Sequence, residues 1–238
     1  MSNSDNLITI AENIWLCDGE DVNFYGFSYS TRMTIIRLPN NQLWIHSPIR
    51  LNESLQQALK ELGEVRYLIA PNKLHHLFLS DWVAAYPKAL TFGTHEVCKK
   101  RDDISFTAEL TDTPETHWQQ EIDQTIFHGS PAMEEAVFYH KPSKTLIVTD
   151  LIENFDPDHF SRWQRAIARF TGVLAPHGKM PADWRLSFSF GSKQQALQSL
   201  DLILSWDIKT IILAHGECIF QDARAFLIES FKWLEEHH

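Results

Sequence analysis

The sequence predicts an α/β sandwich. Strand-like segments crowd the first half, strands and helices mix in the second, and helical segments lie at both flanks. A chain of 238 residues, 44% hydrophobic with 15 Phe and 8 Trp, can bury a substantial core, and it reads as one domain spanning 1–238. Residues 7–17 and 27–38 are rich in β-branched and aromatic side chains, and Pro39-Asn40-Asn41 turns the chain into a strand over 42–49. A helix follows over 52–62, with Leu51, Leu55, Ala58, Leu59 and Leu62 on one stripe and Gly63 at its end. Residues 65–69 form a short buried strand, 76–86 a helix stopped by Pro87, and 89–92 another strand.

Further along, a strand over 124–127 leads through a polar loop to a hairpin. Its strands are 136–139 and 145–149, turning at Lys141-Pro142-Ser143-Lys144. Helices are expected over 157–170, 192–206 and 223–233, with a strand over 210–213. The stretch 174–190 gives no clear pattern, and no internal repeat or low-complexity segment is present.

Charge and composition narrow the function classes. A formal charge of −10 disfavours nucleic acid as the partner. Cys17, Cys98 and Cys218 have no metal-type spacing and read as reduced thiols of a cytoplasmic protein. The segment Met1-Ser2-Asn3-Ser4-Asp5-Asn6 lacks the basic and apolar regions of a signal peptide. No apolar run approaches the roughly 20 residues that span a bilayer, so no membrane partner is expected. The partner expected is a small-molecule substrate of unspecified kind; oligomeric state is not legible. The closing pair His237-His238 reads as a flexible tail.

Three short sites carry the chemistry, each where a strand runs out. They are Ala70-Pro71-Asn72-Lys73-Leu74-His75-His76 after 65–69, Asp150 after 145–149, and Ala214-His215-Gly216 after 210–213. In layered α/β folds, polar chemistry gathers at the carboxyl ends of strands. Imidazole and carboxylate suit zinc or iron. Each residue has a plainer reading too. His75-His76 could bond backbone groups at a helix start, Asp150 could cap a turn, and His215 could be a hydrogen-bonded core residue.

Taken together, these residues make the chain resemble the metallo-β-lactamase superfamily, over nearly its whole length. The resemblance implies an αββα four-layer sandwich with a metal cleft at one edge. The superfamily's hallmark is His-x-His-x-Asp-His after a strand. A further His precedes a hairpin, an Asp closes that hairpin, and a last His follows a late strand. In this chain the first motif is degenerate. Pro71 and Lys73 stand where its two leading histidines belong, His75 replaces its Asp, and His76 keeps its final His. Pro131 falls near the His expected before the hairpin, with His128 three residues earlier, while Asp150 and His215 match.

The resemblance therefore implies one divalent metal rather than two, held by His75, His76, Asp150 and His215. Zinc is the first expectation, with iron or manganese as alternatives. Lys73 could place an ammonium near the vacated position and offset Asp150. His46, His128 and Glu134 or Glu135 are candidates for extra ligands or for supporting the ligands.

The function expected is a mononuclear metal-dependent hydrolase of unknown substrate. Metal-bound hydroxide would be the nucleophile and Asp150 would orient the water. Four protein ligands would close a tetrahedral zinc site, so activity requires higher coordination or one ligand standing off. Two alternatives stay open: a non-hydrolytic metal-binding protein, redox or sensory, and a metal-free binding module on the same fold.

Overall fold

A two-residue turn breaks the first strand-like segment in two. In the computed structural model, which describes residues 7–24 and 26–235, β1 (Ile8–Ala11) and β2 (Ile14–Asp18) pair antiparallel with Ala11 opposite Ile14. The turn between them holds Asn13 at a φ of 62°, a conformation asparagine tolerates well. Residues 1–6 and the pair 237–238, on which expectations were placed above, lie outside the described residues. A short hairpin, β3 (Val22–Phe24) with β4 (Phe27–Tyr29), forms a sheet of its own. Next, β5 (Arg32–Leu38) and β6 (Gln42–His46) pair antiparallel around the Pro39–Asn41 turn.

Asn52 caps α1 (Glu53–Leu62), its side chain accepting from the Leu55 amide at 2.8 Å. Parallel strands β7 (Glu64–Ala70) and β8 (Leu90–Gly93) follow, separated by α2 (Leu79–Ala85). Then come α3 (His95–Lys100) and the two-residue β9 (Ala108–Glu109), neither of which the pattern of side chains announces.

The helix expected from residue 76 begins three residues later. Asn72 is the cause: its side-chain oxygen accepts from the amides of Leu74 and His75 at 2.8 and 3.1 Å. Those bonds favour an Asx-type turn over a helical start and leave His75 and His76 in the turn.

Contacts divide the chain into two compact units. One comprises the described residues up to Val22 with Tyr29–Leu110; the other comprises Asn23–Ser28 with the residues from Thr111 on. The first unit holds a mixed seven-stranded sheet in the order β1-β2-β5-β6-β7-β8-β9. Its core gathers Met33, Ile35, Ile45, Leu59, Leu68 and Trp82, all fully or almost fully buried. Trp82 finds its required acceptor at the Ile49 carbonyl, 2.7 Å away.

The second unit holds a four-stranded mixed sheet: β10 (Ile122–Phe127), β11 (Glu135–His140), β12 (Thr145–Val148) and β13 (Thr210–Leu213), adjacent in that order. The helix expected over 157–170 is divided. Pro157–His159 makes a 3-10 turn, and Ser161 with Gln164 forms a capping box that starts α4 (Arg162–Thr171) afresh. Gly172, at a φ of 81°, ends it. The unpatterned stretch contributes α5 (Ala182–Ser187). Ser192 caps α6 (Lys193–Ser205), and α7 (Ala223–Glu235) closes the described chain. Among the described residues no helix is long and apolar enough to cross a membrane.

Candidate metal centre

The parallel pairing of β12 with β13 sets the first half of the site. Val148 lies opposite Leu213, so the two strands end at the same level and the residues just beyond them, Asp150 and His215, become neighbours. His215 Nε2 lies 3.3 Å from Asp150 Oδ1, and both side chains are 6% exposed. Burying a carboxylate in so apolar a setting is costly without a partner, and the imidazole is that partner here.

Glu135 holds the turn that carries Asp150. It is fully buried at the start of β11, and its carboxylate accepts from the amides of Thr149, Asp150 and Leu151 at 2.7, 2.8 and 3.0 Å. Three charge-assisted bonds to consecutive amides leave that backbone little freedom. Sequence reasoning weighed Glu135 only as a further ligand; its backbone role depends on a strand pairing that residue type does not reveal.

The turn after His215 is fixed by Asn154. The Asn154 amide donates to the His215 carbonyl at 3.2 Å, and the Glu217 amide donates to the Asn154 carbonyl at 2.8 Å. Gly216 sits between them at a φ of 87°, and a Cβ there would stand 2.1 Å from the Asn154 carbonyl oxygen. Only glycine meets both demands. Gly216→Ala is therefore expected to cost about 2–4 kcal/mol, combining left-handed strain with the backbone clash. Chemical denaturation measures this; a loss below about 1 kcal/mol would contradict it. Beside the same turn, burial pushes the Glu153 carboxyl well up, helped by the negative charges of Asp150 and Asp183.

His75 is set by its own surroundings in the first unit. Its Nδ1 lies 2.6 Å from the hydroxyl of Ser47, the residue after β6. Ser47 holds a φ of 54°, a strained value for a residue with a side chain. Its amide still reaches the Ile69 carbonyl at 2.9 Å. Sequence reasoning missed Ser47, because a serine at a strand end carries no signal until the turn at 72–76 comes to meet it.

The remaining candidates have other engagements. His46 is buried and stacks on Trp44 with ring centroids 5.5 Å apart. Its pKa is lowered to about 3 by burial and by His75. His76 receives the Arg101 guanidinium at Nδ1, 3.0 Å away. Arginine only donates, so Nδ1 accepts and the proton of the neutral ring sits on Nε2. The His76 pKa is lowered to about 4 by burial, with Lys100 and Arg101 adding to the effect. Its Nε2 is buried with no hydrogen-bond partner. Lys73 pairs with Glu96 at 3.2 Å, and His128 pairs with Asp112 at 2.9 Å. Glu134 is half-buried just before β11.

His75 in the first unit, and Asp150 with His215 in the second, each offer one ligand atom to a possible metal ion. Within the second unit the dimensions fit. Two ligands about 2.0–2.1 Å from a tetrahedral ion stand roughly 3.4 Å apart, close to the 3.3 Å between His215 Nε2 and Asp150 Oδ1. Two nitrogens and a carboxylate oxygen form a donor set natural to zinc, and also to iron or manganese. Three protein ligands also leave a fourth position open, which four would not.

The model of a family described only as a domain of unknown function, DUF4336, matches residues 11–164. The chain belongs to that family. The matched span of this DUF4336 member takes in His75 and Asp150 but stops before His215. No curated protein matches it in sequence.

Solved structures show its fold to be the metallo-β-lactamase fold, with two mixed sheets flanked by helices. The DIM-1 metallo-β-lactamase superposes with a TM-score of 0.63 at 17% identity, covering 98% of this chain and 97% of that one. A metallo-β-lactamase from Pontibacter korlensis gives 0.62 at 12% identity, covering 98% and 99%. The metal-soaked flavodiiron core of Flv1 from Synechocystis gives 0.66 at 12% identity, over 97% of this chain and 61% of that one.

Proposed function

We propose that this DUF4336 protein is a mononuclear metal-dependent hydrolase of a small-molecule substrate. The observation that carries the reading is the buried His215–Asp150 pair, 3.3 Å apart, to which His75 would add a third ligand and leave a fourth position for water or substrate. A divalent ion bound there, zinc by preference, would supply Lewis acidity enough to bring the pKa of a water towards about 7. The protein's part is orientation. A Ser47–His75 bond donated by Nδ1 leaves Nε2 as the ring nitrogen for the ion, the usual arrangement of a ligating histidine and its supporting group. Glu135 fixes the backbone of Asp150 through its amide, and the carboxylate oxygen of Asp150 not used for binding can orient the attacking water.

The test is a panel of ester, thioester, amide and phosphoester substrates offered to the zinc-loaded protein. At least one is expected to be hydrolysed, with the activity removed by a chelator and restored by one equivalent of zinc. Tight binding of one metal with no turnover on any member would overturn the hydrolase reading in favour of a redox or sensory role. Failure to bind zinc, iron or manganese would leave a binding module on this fold.

A further inference from the structure

We propose that α4 is a peripheral docking surface for an anionic lipid bilayer. Three large apolar side chains, Trp163, Ile167 and Phe170, stand four and three residues apart and so share one face of the helix. That face is turned outward: Phe170 is 91% exposed and Trp163 59%. The buried face of α4 carries only the small side chain of Ala168. The usual arrangement of a surface helix is thus reversed, its bulky apolar residues meeting solvent. Arg185 donates to the Thr171 carbonyl at 2.7 Å, which ties α5 to the end of α4 and sets the exposed Leu186 nearby.

Charge identifies the occupant. The chain carries −10 overall, yet α4 holds Arg162, Arg165 and Arg169 and no acidic residue. Over residues 157–190 there are five Lys or Arg against two Asp, a local excess of +3. Arg165 is engaged by Asp158 at 2.9 Å, while Arg162 and Arg169 are exposed. Cations flanking Trp, Ile and Phe on a short helix match a surface of anionic headgroups over acyl chains. A second copy fits less well. A two-fold contact through α4 would set arginines against arginines with no acid on the helix to pair them. This mode of binding needs no membrane span, and it is independent of the metal reading.

The experiment is vesicle flotation of the purified protein with phosphatidylcholine vesicles, with and without 30% phosphatidylglycerol, at low and high salt. Wild-type protein is expected to float with the anionic vesicles at low salt and to be released by salt or by omitting phosphatidylglycerol. Arg162→Glu with Arg169→Glu, both exposed, is expected to weaken binding at least about tenfold. Ile167→Ser with Phe170→Ser should abolish it while leaving the circular dichroism melt unchanged. Absence of wild-type binding to anionic vesicles, or equal binding by the arginine variant, would overturn the proposal. So would a wild-type dimer in light scattering that Ile167→Ser with Phe170→Ser dissolves.

Discussion

Zinc affinity is expected to fall at least about a hundredfold when His215 is replaced by alanine, because one of the three proposed ligands would be lost and not merely a supporting group. The loss has a second component. Asp150 stays buried, and without the imidazole 3.3 Å away its carboxylate has lost that partner. Competition with a chromophoric chelator measures the affinity. Asp150→Ala should behave alike, whereas His76→Ala should change affinity less than about threefold, since its Nδ1 is already committed to Arg101. A His76→Ala loss as large as that of His215→Ala would place His76 among the ligands and contradict the three-ligand arrangement.

The largest effect on stability is expected at Glu135. Removing its carboxylate in Glu135→Ala leaves the amides of Thr149, Asp150 and Leu151 without that acceptor in a buried turn. At about 1–3 kcal/mol for each stranded donor, partly relieved by relaxation, the expected loss is about 3–5 kcal/mol. Glu135→Gln keeps one side-chain oxygen as acceptor and should cost roughly half as much. Urea denaturation of the metal-free proteins reads both without involving the metal. Less than about 1 kcal/mol for the alanine variant would show that the turn does not depend on this side chain.

The elements that were legible in sequence share a physical property: their signal is local. Asn52 before an apolar stripe, the buried run ahead of Asp150 and the strand before His215 each announce themselves within a few residues. The division near residue 160 was also locally encoded, since Ser161 and Gln164 form a capping box, but Pro157 supplied a competing helix start. The turn at 72–76 was hidden because asparagine can cap a helix or capture amides in a tight turn, and only the fold chooses.

At the site the same division holds. His75, Asp150 and His215 stand out in the sequence because histidine and aspartate at strand ends are unusual for an apolar neighbourhood. The four-ligand expectation included His76, whose engagement with Arg101, 25 residues later in sequence, no motif could disclose. Ser47 and the backbone role of Glu135 were equally invisible, being ordinary residues whose importance lies in what they meet.

One metal is proposed to bind at His75, Asp150 and His215. Anomalous X-ray diffraction from crystals of the zinc-loaded protein, collected on both sides of the zinc absorption edge, tests it most directly. The prediction is a single strong zinc peak within about 2.0–2.2 Å of one atom from each of the three residues, with His76 turned to Arg101. A second zinc beside the first, a peak coordinated by His76, or no peak at these residues would contradict it.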